Sequence, residues 1–214
     1  MGTFKIQEVD MRYLVASLVF MFTLITSTLS IAATRVVPDG FELYYVQVGD
    51  TQSSLQLSED QWRHLLRINQ IDGLYSGQSV LIPRTAVALT YVPVPRTYNV
   101  GAPRGVVTFL DEQLLGVYVR GRLVYWSAVS TGKRDYTPTG RWKILSQERM
   151  HYSFKYKNAP MPFSQRYWGN YFLHEGRLPG VPASMGCVRI LAGDAEQVFD
   201  LLEIGDVVIV TSHM

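Results

Sequence analysis

Short apolar runs, separated by polar or glycine-containing turns, fill the chain from about residue 100 onward and predict a mainly β structure. Several runs are rich in β-branched and aromatic residues, and the turns at 111–113 and 120–122 have hairpin character. The runs that predict strands are residues 106–110, 114–119, 123–129, 141–145, 171–173 and 207–211. We therefore expect residues 100–212 to form one mainly β domain.

Two other segments place their apolar residues at helical spacing. In residues 58–68, apolar side chains share one face, and Ser58 with Gln61 three positions later predicts a capping box. A short helix is predicted near the C-terminus, with Asp194 as its N-cap and Gln197 three residues later, as Gln61 follows Ser58. The sequence thus adds two helices to the strands.

Residues 41–84 predict a small α+β (βααβ) module, with strands at 44–48 and 80–83 around two helices. The residues of this segment that match a known module are Val46, Gly49, Asp50, Thr51, Leu66, Asn69, Gly77, Gln78, Leu81, Ile82 and Pro83. Through them the segment resembles LysM, which binds glycans containing N-acetylglucosamine in cell walls. The resemblance implies glycan-binding positions at Gly49 and Asn69, although residues 52–57 lack the usual apolar pattern of the first helix. The alternative is a degenerate module kept as a spacer.

Alternating prolines in residues 85–99 predict an extended connector between this module and the β domain, because Pro93 and Pro95 both restrict the backbone. A β domain beyond such a connector could form its own core. Deleting residues 41–84 is therefore expected to weaken binding to cell-wall glycans and to change the activity of the β domain on soluble substrates little.

The N-terminus predicts export. No charged residue occurs from Tyr13 to Ala33, Arg12 provides a positive flank, and residues 30–32 resemble a secretory cleavage site. Residues 1–33 are thus predicted to be a signal peptide or an uncleaved membrane anchor. Either alternative places the rest of the protein in the periplasm or cell envelope.

Composition narrows the function classes. The chain has 214 residues, 47% hydrophobic and 18% charged, which is typical of a globular protein. A net charge of +2 with no basic run argues against nucleic-acid binding. One cysteine, four scattered histidines and the lack of a glycine-rich phosphate loop predict neither metal nor cofactor.

The lone Cys187 follows a glycine and lies thirteen residues after His174. A thiol and an imidazole are the components of a nucleophile and its base. The two side chains can meet only if residues 176–182, which include glycines and prolines, fold back as a loop. His151 is a weaker candidate, either lining a substrate groove or exposed on a strand.

Four short segments follow one another along the chain: Ser-Thr-Gly-Lys at 130–133, Thr-Pro-Thr-Gly at 137–140, Ala-Pro-Met-Pro at 159–162 and Ala-Ser-Met-Gly-Cys-Val-Arg at 183–189. Together they resemble the L,D-transpeptidase (YkuD-like) family. The resemblance implies a β-sandwich fold, with Cys187 as nucleophile and His174 as base. The family usually has histidine where this chain has Met185, which cannot carry a proton.

Three neighbours of Cys187 complete the predicted site. Gly186 leaves room for backbone N–H groups to approach a developing oxyanion. Ser184 could position the substrate or only bond its own turn. Arg189 could hold a substrate carboxylate in a bidentate pair or form a structural ion pair.

The resemblance implies an exported transpeptidase acting on peptidoglycan. Cys187 would form a thioester with a tetrapeptide stem and release D-alanine, and an amine of a neighbouring stem or of a wall lipoprotein would resolve it. One alternative is a hydrolase on the same fold, either an L,D-carboxypeptidase or a lipoprotein–peptidoglycan amidase. The other is a non-catalytic wall-binding protein.

Overall fold

The structure, a computed structural model, describes residues 37–214, so the predicted signal or anchor segment lies outside the described residues. It contains eleven strands and three α-helices in that range, with 3₁₀ turns at Lys133–Asp135 and Phe154–Tyr156. In chain order the elements are β1 (Phe41–Tyr45), α1 (Glu59–Asn69), β2 (Ser79–Pro83), α2 (Ala86–Leu89), β3 (Arg104–Phe109), β4 (Leu114–Val119), β5 (Arg122–Ser130), β6 (Gly140–Lys143), β7 (Ser146–Ser153), β8 (Ala159–Trp168), β9 (Tyr171–Glu175), β10 (Val188–Ile190), α3 (Asp194–Leu201) and β11 (Val207–Thr211).

Nine strands form one continuous sheet in the order β6-β11-β3-β4-β5-β10-β9-β8-β7. Its neighbours are antiparallel except for β9 with β10 and β3 with β11. The sheet curls back on itself, so that Trp142 on the edge strand β6 stacks on Trp168 of β8 with ring centroids 5.6 Å apart. The mainly β prediction is confirmed, but the expected sandwich is a single curled sheet.

The curl encloses an apolar core, with α3 packed over it. The buried residues of this core are Val106, Leu115, Val117, Val129, Ile144, Tyr167, Leu173, Val188, Ile190, Ala195, Val198, Leu202 and Val208. They come from both halves of the sheet and from the C-terminal helix. Within residues 37–214, no helix is long and apolar enough to cross a membrane.

The N-terminal segment, residues 41–84, folds as an antiparallel β1–β2 pair with α1 between them. The predicted capping box is confirmed, since the Gln61 N–H donates to Ser58 Oγ at 3.2 Å and the Ser58 N–H to Gln61 Oε1 at 3.0 Å. The predicted first helix is absent here: residues 52–56 form turns, and Gln56 has a φ of +52°. Leu55 and Leu57 are two residues apart, a spacing that does not place them on one face of a helix.

The N-terminal segment and the sheet share a core, which differs from the separation that a connector predicts. Leu65 and Ile71 pack in one buried cluster with Ala128 of β5 and with Leu178 and Leu191. Residues 37–214 accordingly form one compact unit. An expectation that the sheet keeps a complete core without residues 41–84 does not fit this packing.

The proline-containing residues 85–99, which join the N-terminal segment to the sheet, lie against the sheet. The Tyr98 N–H donates to Gly121 O at 2.9 Å, the Leu123 N–H donates to Arg96 O at 2.9 Å, and Val94 is buried. Their extended backbone can pair with a strand end in this way, and their apolar side chains gain burial by doing so.

Asp194 is not the N-cap of α3, so that prediction is wrong. Gly193 occupies the N-cap position without a side-chain hydrogen bond, and Asp194 is 1% exposed inside the first turn. Its carboxylate instead accepts two bonds from Arg67 of α1, at 2.6 and 2.7 Å, and one from Ser127 of β5 at 2.7 Å. A buried carboxylate needs such charged and polar partners, which outcompete a cap.

Candidate active site

A cleft of about 960 Å³ opens over strands β7 to β10. Both His174 and Cys187 line it. Strands β9 and β10 lie side by side and parallel, with Leu173 opposite Val188 and His174 opposite Arg189. Because Cys187 directly precedes β10, this register brings the predicted base and nucleophile to the same place, and residues 176–186 form the connecting loop.

His174 is held neutral. It is 8% exposed, and its Nδ1 lies 2.6 Å from the carbonyl oxygen of Glu175. A carbonyl only accepts, so Nδ1 carries the proton and Nε2 is left as a proton acceptor. Burial, reinforced by the charge of Arg189, lowers the pKa of His174 to about 4 although the Glu175 bond opposes this. Near neutral pH the imidazole is therefore free to take a proton.

Cys187 is a half-buried free thiol. Burial raises its pKa, while a backbone hydrogen bond from Phe172 and the charges of Arg189 and Lys155 partly offset this. The resting pair is thus a thiol and a neutral imidazole rather than an ion pair. A reaction at Cys187 needs proton transfer to a base as the sulfur attacks.

The turn before Cys187 is shaped by hydrogen bonds of Ser184. Its hydroxyl donates to Cys187 O at 2.5 Å and accepts from the Gly186 N–H at 3.0 Å, and Ser184 is 1% exposed. Of the two expected roles for Ser184, these contacts are those of a turn residue. Gly186 has a φ of +126°, and a Cβ there would lie 2.7 Å from the Tyr171 ring, so glycine is required.

Thr137, in the second motif, supports the same turn. Its Oγ1 donates to Gly186 O at 2.8 Å and accepts from the Gly132 N–H at 2.7 Å. A Cβ at Gly132 would meet Thr137 N at 2.7 Å. The sequence places these motifs together only through the resemblance, and the structure supplies the physical link between them.

Arg189 lines the cleft beside the His174–Cys187 pair. Its aliphatic stem packs on Gly176, where a Cβ would lie 2.8 Å from Arg189 Cγ. Among residues 37–214 the salt bridges do not include Arg189. The guanidinium is therefore available to a carboxylate in the cleft.

The family model described as the L,D-transpeptidase catalytic domain, YkuD, matches residues 103–210, which is half of the chain. This chain belongs to the YkuD family. The resemblance seen in its motifs is confirmed. The match begins after the N-terminal segment and covers every strand of the curled sheet from β3 to β10 and most of β11.

Solved structures of YkuD proteins agree with this assignment. An L,D-transpeptidase from Xylanimonas cellulosilytica is 28% identical, with a TM-score of 0.54, over 69% of this chain and 79% of that one. An L,D-transpeptidase from Stackebrandtia nassauensis is also 28% identical, with a TM-score of 0.51, over 59% of this chain and 63% of that one. A search among curated proteins found no match.

His151 is a further imidazole of this YkuD cleft. It stacks on Phe172 with ring centroids 4.9 Å apart, and its Nδ1 lies 3.0 Å from Glu148 Oε2. Of the two interpretations from the sequence, the structure places it in the groove.

Met185 is 49% exposed at the edge of the cleft, in the position where the YkuD family usually has its second histidine. A thioether is a weak acceptor and carries no proton, so His174 and His151 are the imidazoles of the described cleft. Of these, His174 lies on β9, which pairs with β10, and its register partner Arg189 is two residues after Cys187.

The predicted glycan-binding positions of this YkuD protein lie in the N-terminal segment, away from the cleft lining. Asn69 donates to Leu65 O and Leu81 O, both at 2.9 Å, and accepts from the Leu81 N–H at 2.8 Å. These bonds tie α1 to β2 and occupy both polar atoms of the amide. Gly49 lies in a turn with a φ of +90°.

Proposed function

We propose that this protein is a peptidoglycan L,D-transpeptidase in which Cys187 is the nucleophile and His174 its base. The observation that carries the proposal is the pairing of a free thiol with a neutral, oriented imidazole in one cleft. The membership in the YkuD family adds the substrate class, the stem peptides of peptidoglycan.

In this reaction His174 Nε2 takes the thiol proton as Cys187 Sγ attacks the carbonyl of the third stem residue. The bond to the terminal D-alanine breaks, and the leaving amine receives the proton from His174. A thioester joins the tripeptide stem to Cys187. An amine of a neighbouring stem then attacks the thioester, loses its proton to His174, and restores the thiol.

Two groups are assigned to support this chemistry. The Gly186 N–H already donates to Ser184, so we assign the adjacent Cys187 N–H to the developing oxyanion. Arg189, with no salt bridge among the described residues, is assigned to a stem carboxylate, which a bidentate guanidinium pair would hold in place.

The decisive experiment is incubation of the purified soluble part with disaccharide-tetrapeptide, followed by mass spectrometry. A cross-linked dimer with released D-alanine supports the transpeptidase. Disaccharide-tripeptide alone identifies a carboxypeptidase, and unchanged substrate contradicts both and favours a binding protein. A carbapenem adduct on wild-type protein, absent from Cys187→Ser, would locate the acylated atom.

We further propose that the protein works in the cell envelope and that residues 41–84 hold it on glycan strands. Tyr45 is 59% exposed, and its hydroxyl would lie 3.5 Å from a Cβ at Gly77, beside the second LysM-like turn. Exposed aromatic rings suit sugar faces. Tyr45→Ala should weaken pull-down on wall sacculi while soluble muropeptides are still turned over, and unchanged pull-down would make the segment a spacer.

A further inference from the structure

The loop of residues 176–186, which joins the base to the nucleophile, is held at both ends by different parts of the protein. Its second half is fixed by the end of β5. Ser130 Oγ donates to Val181 O at 2.8 Å, and the Ala183 and Ser184 N–H groups donate to Thr131 O at 3.0 and 2.9 Å. These contacts lie within the catalytic sheet.

The first half of the loop is fixed by the N-terminal segment, mainly through Asp72. The Asp72 N–H donates to Leu178 O at 3.0 Å, and the Leu178 N–H returns to Asp72 Oδ2 at 3.2 Å. Arg177 Nε donates to the same carboxylate at 3.2 Å. Tyr75 completes the group, donating to Asp72 Oδ1 at 2.5 Å and accepting from Arg177 at 2.8 Å.

Apolar packing accompanies these bonds. Leu178 is fully buried among side chains of the N-terminal segment, including Leu65 and Ile71. Ile71 also forms a bridge with Pro179, the next residue of the loop. The loop therefore covers part of the core of the N-terminal segment, and the segment in turn holds the loop in place.

Asp72 is the more buried member of its ion pair with Arg177. Its side chain is 19% exposed, whereas that of Arg177 is 78% exposed. Burial alone would raise the pKa of Asp72, but the bonds from Tyr75, Arg177 and Leu178 outweigh it and hold the pKa below its usual range. The carboxylate thus stays ionised and keeps its bonds near neutral pH.

We propose that Asp72 is a positioning residue for the reaction, which sets the path of the 176–186 loop and through it the place of Cys187 beside His174. The inference rests on the proposed function. Gly176, Gly180 and Gly186 leave the free path of the loop poorly determined, because glycine restricts the backbone least. Small displacements of reacting groups are costly to catalysis. Asp72 lies outside residues 103–210, which match the family model, so the chain adds this support from its own N-terminal segment.

The test compares Asp72→Ala, Asp72→Asn and a matched control, Glu42→Gln. Glu42 pairs with Arg84 at 2.6 Å within the same segment, away from the loop. The asparagine variant loses the charge but keeps an oxygen for the Leu178 N–H. Three quantities are measured well below the melting temperature: kcat and KM on disaccharide-tetrapeptide, and the rate of Cys187 alkylation by iodoacetamide as a function of pH.

Asp72→Ala is expected to lower kcat roughly tenfold to a hundredfold with a smaller change in KM. Because the loosened loop exposes the thiol, the midpoint of its alkylation profile should move to lower pH. Asp72→Asn should recover only part of the kcat and keep part of the shift in the alkylation profile, because it keeps the bond from the Leu178 N–H but loses the charged pair with Arg177. Glu42→Gln should match wild type in both readouts.

The proposal is overturned if Asp72→Ala matches Glu42→Gln in kcat and alkylation profile. If Asp72→Ala does not fold, Asp72→Asn and Arg177→Gln are compared with wild type instead. The proposal is overturned if both variants keep the wild-type kcat and alkylation profile. An altered alkylation profile in Asp72→Asn supports it. If wild-type protein turns over no stem peptide, the proposed function fails, while the alkylation profile still tests the positioning role.

Discussion

Two buried histidines, His64 and His174, have similarly lowered pKa values but differ in their access to a reacting group. His64 on α1 is 7% exposed and His174 on β9 is 8% exposed, and burial lowers the pKa of each to about 4. His64 lies between the rings of Phe41 and Trp126, and its Nε2 has no partner among the described residues. His174 has an oriented ring in a cleft with a thiol.

The comparison teaches that a shifted pKa does not identify a base. Desolvation acts alike on any buried imidazole, whereas catalysis needs access to a proton on a reacting atom. The following variants separate the two histidines, in order of decreasing expected effect.

Cys187→Ser should abolish turnover with both histidines in place, because a serine hydroxyl beside one imidazole is a far poorer nucleophile than a thiol near neutral pH. The melting temperature should stay close to that of wild type, since the side chain is half-buried and nearly isosteric. Mass spectrometry of products and of intact protein measures both turnover and acylation. Turnover by this variant would refute Cys187 as nucleophile.

His174→Ala should lower kcat/KM by about a hundredfold or more, the usual contribution of a general base. His64→Phe should leave kcat/KM within about twofold, because an aromatic ring is retained and no reacting atom is near. Steady-state kinetics on soluble muropeptides compares the two. Equal losses in both variants would mean that the loss reports folding rather than base catalysis.

Acid should destabilise the fold through both histidines. Each has a native pKa of about 4, below the ordinary 6.5, so the fold favours the neutral ring. That stabilisation is complete above pH 6.5 and is lost as the pH falls from 6.5 toward 4. Urea unfolding at several pH values across this range should show that the free energy of unfolding falls with pH. The His64→Phe variant should show a smaller slope of that free energy against pH. A slope unchanged by that substitution would contradict the buried neutral state of His64.

Met185→His should have the smallest effect, changing kcat/KM by no more than a few-fold. The side chain is half exposed at the edge of the cleft, and His174 already lines that cleft together with Cys187. Kinetics of the single variant and of its combination with His174→Ala measure this. Full rescue of His174→Ala by the new histidine would move the base assignment to position 185.

Local patterns predicted what depends on neighbours in the chain. The Ser58–Gln61 capping box and the strands of the sheet follow from spacings of two to four residues, and the structure contains them. The glycine- and proline-containing loop after His174 predicted a fold-back, and the structure brings His174 and Cys187 to one cleft.

Local patterns could not predict contacts between residues that are far apart in the chain. Asp194 resembles an N-cap from its local sequence, yet its partner Arg67 lies 127 residues away. Asp72 and Leu178 are 106 residues apart, and nothing near either residue indicates the other. The apolar face of α1 predicted that the helix packs against another part of the protein. Only the structure shows that Leu178, in the loop of residues 176–186, is part of that surface.

The place of β10 in the sheet has a consequence for the order of folding. This three-residue strand lies in the middle, between β5 and β9, and β11 lies between β3 and β6. Until residues 188–211 are available for pairing, both gaps stand open and four strand edges lack partners. Such non-local pairing slows folding and exposes edges to other chains. The folding chain therefore depends on β10 and β11 for protection from aggregation.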